Sequence, residues 1–143
     1  MAIQKILVGA HNTPEGEAAL RRAIMTARAE GAELHLVGFV PPPKSDAATE
    51  EYEQHVNERL DEVTSLVESL AAEDLVIRAH VPKGVTRPAE AILRVASQEG
   101  VDEIIIGLRR RSRVGKLVLG SNAQDILLGA ECTVVAVKVP VSE

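Results

Sequence analysis

At 143 residues, 45 % of them hydrophobic, the chain has the size and make-up of one domain, residues 1–143, able to bury a core without staples. Its formal net charge of −5 argues against a dedicated duplex-DNA binder, which needs a basic face to neutralise phosphates. The single cysteine, Cys132, excludes an internal disulfide, and its apolar neighbours predict a buried structural thiol. "MAIQKILVGAHN" is too short an apolar run for a signal peptide, and no window reaches the ~18 apolar residues of a membrane helix, so a soluble, cytoplasmic protein is expected.

In chain order, "KILVGA" (5–10) is a short apolar run closed by turn residues and reads as a buried strand. Thr13 before Pro14 suits an N-cap with proline in the first turn. Leu20, Ala23, Ile24 and Ala27 then mark one face of a helix that ends near Gly31. "ELHLVGFV" (33–40) is a second strand, and "PPPKSDAAT" (41–49) a loop. Tyr52, Val56, Leu60, Val63, Val67 and Leu70 keep helical spacing with charged residues between. "DLVIRAHV" (74–81) is a third strand. A helix carrying Ala89, Ile92, Leu93 and Ala96 follows and stops at Gly100. "VDEIIIG" (101–107) is apolar without alternation, as in strands covered on both faces. Ser121 reads as the N-cap of a last helix, with Gln124 completing a capping box, and "CTVVAVKV" (132–139) is the fifth strand. The order β-α-β-α-β-α-β-α-β predicts a single doubly wound α/β domain with a five-stranded parallel sheet and helices on both faces. With Phe39 and Tyr52 the only Phe, Tyr or Trp residues, its core must be built from Val, Ile, Leu and Ala.

Ligands of such sheets bind outside the C-terminal strand ends, where strand order reverses. The loop after the fourth strand, "GLRRRSRVGKLVLGSN" (107–122), has the richest chemistry there. Five of the chain's 16 basic residues, Arg109, Arg110, Arg111, Arg113 and Lys116, fall in it, between Gly107 and a helix start at Gly120, Ser121 and Asn122. Helix N–H groups, a hydroxyl and guanidinium forks suit phosphate oxygens. The loop is not a Walker A sequence: Arg110 stands at its first glycine position and Leu117 at its Ser/Thr position. A solvated basic loop, or a nucleic-acid contact with steep salt dependence, are the competing readings.

The same stretch resembles the phosphate-binding motif of the universal stress proteins, G-x2-G-x9-G-[ST], with Gly107 as the first glycine and Gly120-Ser121 as the final pair. "KILVGAHNTPEGEAAL", "PAEAIL", "GVDEIIIG" and "ECTVVAVKVP" extend the resemblance over nearly the whole chain. It implies the family's five-stranded α/β fold and binding of ATP, with or without Mg²⁺, or of another adenine nucleotide. Gly107, Gly120, Ser121 and the Asn122 backbone would meet phosphates, with Arg109 and Arg110 supplying charge. Ala10 and Phe39 would lie beside the adenine. Two departures bear on this. The second motif glycine is Arg110, and the family's strand-one Asp is His11. The turn "PKGVTRP" is also longer than the family's usual one. A member that has lost nucleotide binding and acts as a dimeric interaction module is therefore the alternative.

No HExxH, CxxC or G-x-S-x-G motif is present, so neither a catalytic set nor a metal site is expected. His35 and His80 read as strand residues facing a neighbour or solvent. The family resemblance implies a binding and signalling protein with at most slow ATP hydrolysis, and a homodimer that pairs strand 132–139 with its copy. The β-rich, nearly uncharged run "TVVAVKV" agrees with an edge open to pairing. An unidentified protein partner completes the expectation.

Overall fold

A computed structural model describes residues 3–70, 74–109 and 119–139. Arg110, and with it Arg111, Arg113 and Lys116, lies outside the described residues. Strand β1 (Lys5–Gly9) leads to helix α1 (Pro14–Glu30), and β2 (Glu33–Val37) to α2 (Thr49–Leu70) through a 3₁₀ turn at Asp46–Ala48. Strand β3 (Ile77–His80), helix α3 (Pro88–Glu99), β4 (Glu103–Arg109), α4 (Ser121–Gly129) and β5 (Thr133–Val139) follow. All five strands pair in parallel, in the order β3-β2-β1-β4-β5. The α/β, doubly wound fold is the one expected.

The local signals act as their chemistry requires. Thr13 Oγ1 accepts from the Gly16 amide at 3.0 Å, and Pro14 opens α1 where its missing N–H costs nothing. Gly31 (φ 66°) and Gly100 (φ 63°) close α1 and α3 in the left-handed region that glycine enters without strain. The expected capping box on α4 is not formed. Gly120 is the N-cap, Ser121 begins the helix without a side-chain cap bond, and Gln124 Nε2 instead donates to the Leu119 carbonyl at 2.9 Å. With the cap one residue earlier, Ser121 is the first helical residue, and Ser121 and Gln124 no longer hold the N-cap and N3 positions that a capping box uses. Strand β2 stops at Val37, short of residue 40, because its partner β3 ends at His80, whose carbonyl accepts from the Gly38 amide at 2.8 Å. Strand β3 is also shorter than 74–81: it is an edge strand, and its bonding to β2 begins only where the Leu34 amide donates to the Val76 carbonyl at 2.9 Å.

Alternation along the strands sorts the core into two layers. Ile6, Val8, Leu34, Leu36 and Ile105 pack against α1 (Ala19, Ala23, Ala27) and Val63 of α2. Leu7, Val37, Ile104 and Ile106 face α3 (Ala89, Ile92, Val95) and Ile126 of α4. Small alanines on α1 let that helix lie close to the sheet. Cys132 is half-buried beside the second layer, less than the buried thiol expected, and desolvation pushes its thiol above the ordinary range.

Candidate functional site

Strand order reverses at β1. The loop after β1 crosses to α1 on one face, while β4 hands the chain to α4 on the other. The strand ends part there, and a crevice of about 310 Å³ opens between them. Gly9, His11, Thr13 and Gly16 form one wall. Ile106 and Gly107 of β4, Ile92 of α3, and Asn122 and Ile126 of α4 form the rest. A second hollow of about 300 Å³ continues it past Gly107 and Arg109 to Gly120 and Ser121, sharing Glu15, Gly107, Asn122 and Ala123 with the first. The combination is an apolar slot next to a helix start whose first amides have no intrahelical partner, shaped for a flat heterocycle joined to an anionic group.

The sequence-derived residues fall around this crevice in different ways. His11 and Asn122 line the slot, and Gly107 lies where the slot and the second hollow meet. Arg109, Gly120 and Ser121 line the second hollow. Ala10 and Phe39 flank the slot without lining it. Ala10 belongs to the core layer under α1, its amide donates to the Val37 carbonyl at 2.8 Å, and its own carbonyl accepts from the Arg59 guanidinium. Phe39 packs on the α3 layer beyond the end of β2.

Two of these residues have structural work besides any ligand. A Cβ on Gly107 would lie 2.0 Å from the Glu15 carbonyl oxygen, so this glycine is what lets the first turn of α1 rest on β4. Asn122 Oδ1 accepts from the Ala89 amide at 3.0 Å, tying the N-terminus of α3 to that of α4 across the crevice. Neither role is visible in sequence, because each depends on a partner more than 30 positions away.

Glu15 was not anticipated. It stands in the first turn of α1, where its charge complements the helix dipole, and it faces both hollows. Its Oε2 is buried with no hydrogen-bond partner among the described residues. A buried carboxylate oxygen without a partner is costly and calls for a donor or a cation. Near it, burial first and then the Arg59 guanidinium hold the His11 imidazole below its ordinary pKa, against an opposing pull from Glu15. His11 is therefore a neutral donor–acceptor at the mouth of the slot near neutral pH.

A family model described as Universal stress protein family matches residues 2–138. A curated relative from Thermus aquaticus, "Universal stress protein in QAH/OAS sulfhydrylase 3'region", is 32% identical over 128 residues, spanning 87% of this chain and 93% of the relative. The solved structure of a universal stress protein from Archaeoglobus fulgidus superposes with a TM-score of 0.71 at 27% identity, covering 94% of this chain and 98% of that one. A universal stress protein from Archaeoglobus fulgidus solved in complex with dAMP superposes at a TM-score of 0.66, with 23% identity over 96% of this chain and all (100%) of that one.

Proposed function

This chain belongs to the universal stress protein family, and on that premise we propose that it binds an adenine nucleotide in the crevice at the β1/β4 strand ends. The observation that carries the reading is the crevice itself: an apolar slot at the sheet's switch point that runs on into the start of α4. The dAMP complex of the structural neighbour supports the choice of adenine. In this reading the base lies between the β1 loop and Ile92, His11 meets the nucleoside, and phosphates reach the amides of Ser121 and Asn122. Gly120, in extended backbone at φ −67° and ψ 161°, leaves their approach open. ATP suits the length of the double hollow, and the Glu15 carboxylate gives Mg²⁺ a place beside the phosphates.

The role we infer is that of a nucleotide-responsive binding module rather than a catalyst, working in the cytoplasm through a protein partner. None of the described helices is long and apolar enough to cross a membrane. The position of β5 at the sheet edge supports the homodimer through residues 132–139. One observation favours the alternative of a module without nucleotide: a carboxylate, Glu15, stands where phosphates would arrive. Calorimetric titration with ATP, ADP and AMP, with and without Mg²⁺, separates the two. The proposal expects one saturable site per chain, weakened at least about tenfold (about 1.4 kcal/mol) by Gly120→Val. The extended backbone at Gly120 accepts a side chain without strain, so the variant is expected to fold. Absence of binding in the wild type, or equal affinity in the variant, would overturn it.

A further inference from the structure

On the same face as α3, but away from the crevice, the sheet carries a polar cluster. His35, in the middle of β2, is 0% exposed. Its Nδ1 lies 2.8 Å from Nε2 of His80, the last residue of β3, and the two rings meet through these nitrogens, with centroids 5.0 Å apart and planes 16° from parallel. Glu99, the last residue of α3, places Oε1 3.9 Å from the same His80 nitrogen. On the other side of the His35 ring, Nε2 lies 2.8 Å from Glu33 Oε1, a close contact that falls short of an aligned hydrogen bond. Glu33 is held in turn by Arg78 Nε at 2.9 Å. Two imidazoles set edge to edge in an otherwise aliphatic layer are costly to bury unless their facing nitrogens share a proton or an ion.

We propose that His35, His80 and Glu99 form a site for one divalent transition-metal ion of the zinc class, with Glu33 orienting the His35 ring. The three ligand atoms lie within 4.8 Å of one another. Zn–N bonds of about 2.0–2.1 Å in tetrahedral geometry put two ligating nitrogens about 3.3 Å apart, so the two rings must part by about 0.5 Å and tilt to aim both lone pairs at one ion. The Glu33 carboxylate favours the proton on His35 Nε2, which leaves the Nδ1 lone pair facing inward. A carboxylate behind a ligating histidine is the usual outer support of such sites. His80 Nε2 then donates to His35 Nδ1 in the metal-free protein. On metal binding that proton leaves Nε2 and His80 is reprotonated at Nδ1, so the His80 ring changes tautomer without net proton release. Burial, then His35, hold His80 below its ordinary pKa, which keeps the ring neutral and able to bind. Imidazole nitrogens exclude Mg²⁺ and Ca²⁺ as the natural occupants. His80 and Glu99 are partly exposed and open the site to solvent at the sheet edge. Three protein ligands leave a fourth position, the pattern of an exchangeable ion rather than a closed structural one. The Arg78 charge opposes the ion but is partly neutralised by Glu33.

The test is titration of chelator-stripped protein with Zn²⁺ by calorimetry and with Co²⁺ by visible absorption, on a Cys132→Ser background that removes thiol binding. The expected result is one ion per chain, with the visible bands of tetrahedral Co²⁺. His80→Gln and Glu99→Gln each abolish stoichiometric binding, Glu33→Gln weakens it roughly 10–100-fold, and His55→Gln, on the exposed face of α2, changes nothing. Circular dichroism checks that each variant is folded. Glu99 is a surface residue whose substitution leaves the core intact, so it decides the matter if His80→Gln unfolds. No stoichiometric ion in the parent protein, or unchanged binding in Glu99→Gln, would mean an adventitious ion only and would overturn the proposal. Loss or retention of nucleotide binding bears on neither outcome.

Discussion

His11 packs its ring against the end of β1: a Cβ built on Gly9 would lie 2.6 Å from His11 Nε2. The sequence singles out His11 by its departure from the family pattern, but the ring's neighbours, Gly9 and the Arg59 charge, come from β1 and from the middle of α2 and emerge only with the fold. Their effect has a sign. The folded state holds the His11 pKa down, so as pH falls the unfolded chain takes up the proton first. The stabilisation from a neutral His11 is therefore complete above the unfolded value near 6.5 and is lost as pH drops below it. Thermal melts between about pH 8 and about pH 5.5 should show a shallower fall in Tm for His11→Gln than for the wild type. Parallel curves would show that His11 is not held neutral by the fold.

Elements that read cleanly from sequence are those whose signals are local. Thr13-Pro14 and Gly31 bound α1 because a cap needs only neighbours, and the uninterrupted apolar run of β4 reports cover on both faces. The contacts between elements were not legible. Gly107 matches a phosphate motif, yet the Glu15 carbonyl already requires a glycine there. Gly107→Ala should accordingly destabilise the protein in the absence of any ligand, by at least the ~1–3 kcal/mol of overpacking, measured by denaturant unfolding. A stable variant with lost nucleotide affinity would instead make the glycine purely a ligand requirement. The α4 cap lies one residue before the expected Ser121, because serine at 121 and glycine at 120 are both acceptable caps and only the backbone distinguishes them. Tyr52 shows the same limit. It reads as one of a row of apolar helix positions, whereas its hydroxyl accepts from the Gly84 amide at 2.9 Å and anchors the long turn before α3.

At the scale of the molecule, the alternation of strands and helices is enough to give a parallel sheet, and the order β3-β2-β1-β4-β5 then puts the crevice between β1 and β4. What the alternation does not give is which side chains the sheet brings together. His35 and His80 are 45 residues apart, and their contact follows from the β2–β3 register, in which His35 opposes Arg78 and Val37 opposes His80. Among the described residues, the arginine-rich stretch that dominates the sequence contributes Arg109 to the lining of the second hollow, beside Gly120–Asn122 and Glu15. The most direct test of nucleotide binding at this crevice is a ¹⁵N–¹H correlation spectrum recorded during titration with Mg-ATP and with AMP. The account predicts saturable shifts of the Gly9, His11, Gly107, Ser121 and Asn122 amides, with Arg78 and His80 on β3 unmoved. No shift up to about 1 mM nucleotide, or shifts confined to residues away from the β1 and β4 ends, would contradict it.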